Sequence, residues 1–328
     1  MKTQILPPTP RAITQAAAII RQGGLVAFPT ETVYGLGASA FNPYAVAKIF
    51  KVKNRPHFDP IIVHIAKLSD LELLVKTCPP KAQKLIDKFW PGPLTVVLPK
   101  TSKVPEIVTA GLPSVAIRMP AHRVTQAIIK KAQVPIAAPS ANKFGYLSPT
   151  TAEHVAKQLS GKIELIIDGG KCNWGIESTV VYFENNDAVI LRHGALPQEE
   201  IENVIGRVKT IKKSVQPLSP GTLLKHYAPK TPIVILNNRT RIDFTKRAGL
   251  LAFRMPSKIN GFHKIEVLSK NGNYVEAAAN LFEALHRLDE SNLDVIYAQK
   301  IKEIGLGRAI MERLKKAAYK YKKENLGQ

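Results

Sequence analysis

Short apolar runs alternate with amphipathic stretches along most of the chain, and that alternation constrains the fold more than any other feature. Leu25–Phe28, Ile61–Ile65, Leu94–Leu98, Val115–Arg118, Val134–Ala138, Glu164–Asp168, Thr179–Phe183 and Val189–Arg192 read as strands. Helices are expected over Asp70–Val75, Ala82–Phe89, Val124–Lys131 and Ala152–Leu159, the last opened by a capping box of Thr150 and Glu153. The first helix shows its own limits: Thr9 as N-cap, Pro10 at the first turn, Gly23-Gly24 at the end, and Ile13, Ala16, Ala17 and Ile20 on one face. Asn42-Pro43 opens a second helix that runs to Lys53-Asn54-Arg55. Strands interleaved with helices make an α/β sheet. The short link between Thr179–Phe183 and Val189–Arg192 reads as a hairpin, so the sheet is expected to be mixed.

Near Ile205 the texture changes. Lys212–Gly221 carries turn residues and charge without an amphipathic period and reads as a linker. Beyond it, strands are expected at Ile233–Leu236, Gly249–Phe253 and Asp294–Tyr297, with a helix over Tyr274–Leu288 and a last one after Gly305-Leu306-Gly307. The organisation is therefore a larger α/β domain over 1–205, a linker over 206–230 and a smaller, basic, Rossmann-like α/β domain over 231–328. With 328 residues, each domain can bury its own core.

Net charge is +22 and uneven: residues 1–205 hold 23 Lys and Arg against 15 Asp and Glu, and residues 206–328 hold 24 against 10. Such a field attracts polyanions such as nucleotides or RNA, although basicity also serves plain solubility. No run is long enough to span a membrane, and the first residues lack an apolar export core, so the expected home is cytoplasmic. The two cysteines, Cys78 and Cys172, fit reduced thiols, and the eight histidines show no zinc spacing.

Two segments gather anion-binding chemistry. Lys53 and Arg55 flank one residue, and in an extended loop both would point to one side, converging on a polyphosphate; two solvated surface cations are the plainer alternative. Ser140 and Asn142 follow the apolar strand Val134–Ala138, where open α/β sheets bind ligands, or they serve a turn. Arg118 and Arg192 each end an apolar strand and need an anionic partner, either ligand carboxylate and phosphate or a structural Asp or Glu. No Gly-x4-Gly-Lys phosphate loop is present.

Pro29–Leu36, Lys53-x-Arg55, Ile62–Ile65, Trp90–Thr95, Val115–Pro120, Pro139–Asn142 and Gly175–Val180 occur in this order, and together they resemble the threonylcarbamoyl-AMP synthases of the YrdC-like family over residues 10–200. Ser219-Pro220-Gly221 with His226-Tyr227-Ala228-Pro229, and Gly305–Ile310, resemble the linker and smaller domain of its long form. The resemblance implies a YrdC-like open, twisted sheet fold and an enzyme that makes threonylcarbamoyl-AMP and pyrophosphate from L-threonine, bicarbonate and ATP, with Mg²⁺ carried on ATP and no protein-held metal. Its product would serve threonylcarbamoyladenosine formation at tRNA position 37, with tRNA or a threonylcarbamoyl-transfer complex as a further partner. Carried over, Thr32, His64, Arg118, Ala138 and Ser178 form the threonine pocket. Arg55, Asp59, Ser114, Ser140, Ser148, Arg192 and Tyr227 contact ATP, and Lys53, Arg55, Ser140 and Asn142 form the catalytic basic-polar tetrad. Asn54, Asp59, His193 and Thr222–Lys225 depart from the family's usual residues; at 59 an Asn is usual, so a carboxylate there faces phosphate or a metal.

Two rival readings remain. Double-stranded RNA binding without catalysis has the net charge behind it, yet needs none of Thr32, His64, Arg118 and Ser178. Carbamoyl transfer to another substrate, as in hydrogenase-maturation relatives, goes with zinc-finger and acylphosphatase-like regions that are absent here.

Overall fold

A computed structural model describes residues 2–184, 187–210, 226–256 and 260–324. The linker expected at Lys212–Gly221, and Thr222–Lys225 with it, lies outside the described residues. The chain forms two compact units. One takes in the chain up to Phe144, Pro149–Asn173 and the stretch that starts at Glu177; the other takes in Gly145–Ser148, Trp174–Ile176 and the C-terminal part.

The first unit opens with β1 (Gln4–Leu6), α1 (Pro10–Arg21), β2 (Val26–Phe28), β3 (Gly35–Ser39), α2 (Pro43–Lys53) and β4 (Val63–His64). It continues through α3 (Leu71–Leu74), α4 (Pro80–Phe89), β5 (Leu94–Pro99), α5 (Glu106–Thr109), β6 (Ser114–Arg118), α6 (Arg123–Ala132) and β7 (Ile136–Ala137). It closes with α7 (Ala152–Leu159), β8 (Leu165–Ile167), β9 (Thr179–Glu184), β10 (Asp187–Arg192), α8 (Gln198–Ile205) and β11 (Lys209–Thr210). Its strands join in one 11-stranded mixed sheet, in the order β1-β8-β2-β3-β7-β4-β6-β5-β9-β10-β11. The expected hairpin is present, with β9 antiparallel to β10, whereas β5 and β9 run parallel.

Helix α1 begins as its sequence dictates. The Thr9 hydroxyl accepts from the Ala12 N–H, Pro10 starts the first turn, and Ala12, Ala16, Ala17 and Ile20 are buried. Helix α7 is capped differently from the expectation: Thr151 is its N-cap and accepts from the His154 N–H, while the Thr150 hydroxyl faces His154 Nδ1 at 3.3 Å. Both residues are threonines, and the backbone turn rather than the side-chain type decides which one caps. The edge strands β1 and β11 were not foreseen, because an edge strand of two or three residues has too little pattern to read. Pairing of β11 with β10 carries the sheet to Thr210, beyond the boundary expected at 205.

The second unit contains β12 (Ile233–Ile235), β13 (Ala248–Ala252), β14 (Lys264–Val267), α9 (Tyr274–Asp289), β15 (Val295–Ala298) and α10 (Leu306–Glu324). Its four strands are all parallel, in the order β12-β15-β13-β14, which makes the expected small α/β unit. Ala277, Leu281, Leu285 and Leu288 of α9 are all buried, as their spacing requires.

Strands β4, β6, β5, β9 and β10 of the large sheet frame a two-sided layout. One face carries Val63, Ile117, Val96 and Val181, which join the main core. The opposite face holds a small apolar cluster of Ile62, Val97, Ala116 and Val180. Polar side chains extend that second face.

Candidate active site

His64 and Arg118 are register partners at the carboxyl ends of β4 and β6. Val96 pairs with Ile117, so Thr95 falls opposite Arg118 on the same face. Thr95 pairs in turn with Val180, and Val180 with Arg192 across a bulge in β10. A polar row of His64, Arg118, Thr95 and Arg192 therefore crosses five strands, with Val180 as its one apolar member. All four polar side chains are buried.

Each member is tied down. Arg118 donates from Nη1 to Thr32 Oγ1 at 2.8 Å, from Nη2 to Glu31 Oε1 at 2.6 Å and from Nε to the Gly92 carbonyl at 3.2 Å. Thr32 is set by its neighbour: the Thr30 hydroxyl lies 2.8 Å from Thr32 Oγ1 and accepts from the N–H groups of Thr32 and Val33. Ser178 sits just ahead of β9, with its hydroxyl 2.7 Å from Thr95 Oγ1. Arg192 Nη2 donates to the Ser178 carbonyl at 2.8 Å and to its hydroxyl at 3.2 Å. Glycine makes that approach possible, because a Cβ on Gly194 would lie 2.3 Å from the Ser178 carbonyl carbon. Of the two partners foreseen for the strand-end arginines, a structural carboxylate is the one present at Arg118.

The electrostatics follow from burial. His64 is held down to about 3 by desolvation and by the adjacent Arg118 cation, so its imidazole is neutral at physiological pH. Burial pushes the Glu31 carboxyl up, and Arg118, by charge and hydrogen bond, with the nearby amides of Ala121 and Glu31, brings it below its ordinary value. Burial pushes Cys172 up to about 12, which keeps it an inert thiol.

The Lys53-x-Arg55 segment is not the extended loop that was expected. Lys53 is the last residue of α2, and Asn54 is its C-cap in the left-handed region at φ 52°. That conformation suits glycine or asparagine, which accounts for Asn54 at a position where glycine is usual. Lys53 is fully buried, and its ammonium donates to the carbonyls of Ser140, at 2.5 Å, and of Asn142. Burial and the Arg55 charge push Lys53 well below the ordinary lysine range, while the Asp59 carboxylate acts the other way. Ser140 Oγ donates to Asn142 Oδ1 at 2.5 Å, so Lys53, Ser140 and Asn142 form one linked group. Arg55 points at the 59–60 backbone instead, donating from Nε to the Asp59 carbonyl at 3.0 Å and from Nη2 to that of Pro60 at 2.7 Å. Its Nη2 also stands 2.9 Å from Asp59 Oδ2, out of hydrogen-bond alignment, so both carboxylate oxygens of Asp59 lack a hydrogen bond. Burial pushes the Asp59 carboxyl up against the pull of Arg55, Lys53 and Arg192.

Ser114 starts β6 and Arg118 ends it, about 13 Å apart at ~3.3 Å per residue. Ala138 follows β7 and donates its N–H to the Ile62 carbonyl at 2.9 Å. Strand β7 itself is only Ile136–Ala137, shorter than the Val134–Ala138 expected. Ser148 and Tyr227 belong to the second unit. There the Ser148 carbonyl lies 3.3 Å from His286 Nε2. The Tyr227 ring is buried 5.5 Å from the Phe282 ring, with the Arg313 guanidinium 5.4 Å from its centre. Among the described residues no group of three or more His, Cys, Asp or Glu is arranged to hold a metal ion, and no helix is long and apolar enough to cross a membrane.

The profile of the Sua5, YciO and YrdC proteins, described as "Telomere recombination", matches residues 18–194. A second profile, "Threonylcarbamoyl-AMP synthase, C-terminal domain", matches residues 196–319. The chain belongs to the Sua5/YciO/YrdC family. A family member from Pyrococcus abyssi, named threonylcarbamoyl-AMP synthase, is 45% identical over 92% of this chain and 93% of its own. One of the same name from Bacillus subtilis is 44% identical over 93% and 92%. The crystal structure of P. abyssi Sua5 complexed with L-threonine superposes with a TM-score of 0.90 at 42% identity, covering 96% of this chain and 98% of that one. This member of the family is accordingly an enzyme, with both sequence domains of the long Sua5 form.

Two site residues escaped sequence reasoning. Glu31 is the one charged residue in Pro29–Leu36, an acid set among apolar and small polar neighbours, and that isolation was its only signal. Thr95 lies inside the quoted Trp90–Thr95 motif, but only the sheet register shows that it faces Arg118.

Proposed function

We propose that this chain makes threonylcarbamoyl-AMP and pyrophosphate from L-threonine, bicarbonate and ATP, as the first step of tRNA threonylcarbamoyladenosine formation. The observation that carries the reading is the buried polar row. A strand-end guanidinium, a neutral imidazole and hydroxyls share one sheet face, and these are complementary to the carboxylate and hydroxyl of a small hydroxy amino acid. The relatives' names and the Sua5 complex with L-threonine support it.

In this reading Arg118 and Thr32 bind the threonine carboxylate. His64, neutral and buried, and Ser178 address the side-chain hydroxyl, with the Ala138 backbone closing the pocket. Arg55, Arg192, Ser114 and Ser140 serve the nucleotide, and Mg²⁺ arrives on ATP as part of that substrate. Lys53 holds the Ser140–Asn142 turn in shape rather than reaching phosphate itself, since its protons are engaged by backbone carbonyls. The amine, once neutral, combines with bicarbonate to give the carbamate and water. A carbamate oxygen then attacks the α-phosphorus, and pyrophosphate leaves. The protein's contribution is position and neutralised charge, with no covalent enzyme intermediate.

Pyrophosphate release by purified protein with ATP, Mg²⁺ and bicarbonate, with and without L-threonine, tests this. Release should depend on both threonine and bicarbonate and should fall at least about 100-fold in Arg55→Ala. Threonine-independent release, or none alongside tight salt-sensitive RNA binding, would overturn the reading.

A further inference from the structure

An α-amino acid brings a cation as well as a carboxylate, and the threonine-pocket residues named above include no anion to receive it. Glu31 is the anion at hand. Its side chain is 8% exposed, its Oε1 takes Arg118 Nη2 at 2.6 Å, and its Oε2 is buried without a hydrogen-bond partner. A buried carboxylate oxygen without a donor is unfavourable, and an incoming N–H group relieves it. Among the described residues only Glu31 and Asp59 have carboxylate oxygens of this kind. Asp59 lies among the charges of Arg55, Lys53 and Arg192, which leaves Glu31 as the one beside Arg118 and Thr32.

The covalent geometry of the ligand fits that pair. Carboxylate and ammonium of an α-amino acid sit on one carbon, so their receptors must be neighbours, and Arg118 and Glu31 touch. Arg118 also keeps an N–H on each of Nη1 and Nη2 beyond those given to Thr32 and Glu31. We propose that Glu31 Oε2 receives the α-ammonium of the amino acid substrate while Arg118 holds its carboxylate, which makes Glu31 a specificity-determining residue that selects amino acids over hydroxy acids. The inference rests on the threonine reading and adds the recognition of the amino group to it.

Calorimetric titration of the full chain with L-threonine and with (R)-3-hydroxybutyrate, which is threonine without its amino group, separates the possibilities. Wild-type protein should prefer threonine by roughly 10- to 100-fold, the range of one charge-assisted hydrogen bond. Glu31→Gln should lose that preference and bind (R)-3-hydroxybutyrate as wild type does. If both ligands weaken together in the variant, Glu31 only holds Arg118 and the inference fails; it fails too if the variant keeps its preference. Should Glu31→Gln not fold, wild type alone decides, since equal affinity for the two ligands refutes ammonium recognition and a threonine preference supports it. Wild type that binds no threonine overturns the amino acid reading and this inference with it, whereas a retained preference in the variant overturns this inference alone.

Discussion

Replacing Arg118 by methionine would leave the Glu31 carboxylate inside the protein without its cation. Nη2 and Oε1 stand 2.6 Å apart, with the two side chains 4% and 8% exposed. Charge centres about 4 Å apart attract by about 4 kcal/mol at an effective dielectric of ~20. That attraction offsets the desolvation of the carboxylate, so removal of one partner should cost about 3–5 kcal/mol. This is a large share of the roughly 5–15 kcal/mol that keeps a domain folded.

The sign of the pH dependence is fixed by the two opposing effects on Glu31. In the native protein burial raises its pKa and Arg118 brings it below the ordinary 4.5. The pair therefore stabilises the fold above pH 4.5, and its contribution is lost as pH falls through the lower native value. In Arg118→Met burial acts without the guanidinium, so the native pKa of Glu31 rises above 4.5. That variant is penalised where the buried group must ionise or stay protonated against its tendency in the unfolded chain, and it is spared in acid. The stability gap between wild type and variant should be widest near pH 7 and should close toward pH 4. Adding Glu31→Gln to Arg118→Met should recover about 2 kcal/mol at pH 7, because an amide is cheaper to bury than a carboxylate. Urea unfolding of the four proteins of the cycle at pH 7 and pH 4.5 measures all of this. A gap below about 1 kcal/mol at pH 7, a gap indifferent to pH, or strict additivity in the cycle would refute the coupling of Glu31 to Arg118.

Asp59→Asn should tighten ATP binding roughly tenfold, about 1.4 kcal/mol, by removing a negative charge that stands 2.9 Å from Arg55 Nη2. Because burial raises the Asp59 carboxyl above its ordinary 3.8, wild-type affinity should improve as pH falls into that raised range and the variant's should not; parallel pH profiles for the two proteins would exclude Asp59 as the titrating group. Asn54→Gly should melt within a few degrees of wild type, whereas Asn54→Val should lose about 1–3 kcal/mol, since φ of 52° is strained for a β-branched residue. A valine variant that melts with wild type would mean that the α2 cap is not held in the left-handed region.

The sequence expectations succeed where the information is local. Thr9, Pro10 and the apolar face of α1 need nothing beyond their own helix, and α1 forms as they predict. The apolar runs of β5, β6, β9 and β10 were visible as well, whereas β3, made of glycine, leucine, alanine and serine, carries no strand pattern and was not. What failed depended on partners distant in sequence. Strands β1 and β11 are only three and two residues long and exist because β8 and β10 offer them edges. Helix α7 takes Thr151 rather than Thr150 as its cap because the approach of the chain fixes which threonine has extended backbone.

The same distinction runs through the candidate site. Lys53, Arg55, Arg118 and Arg192 could be picked out by residue type, but residue type does not say where their protons go. Lys53 donates to carbonyls 87 and 89 residues away, and Arg118 to a carboxylate 87 residues away. Arg55 donates to the carbonyls of Asp59 and Pro60, four and five residues ahead. A cation identified in sequence is thus an open donor set until the fold distributes it. Here Lys53 is committed to the Ser140–Asn142 turn, while Arg118 shares itself between Thr32, Gly92 and an acid. A site built this way reaches its ligand with its cations already positioned by neutral acceptors and by Glu31. Cations held in this way need little rearrangement to meet an anion, and that low reorganisation is what electrostatic preorganisation requires.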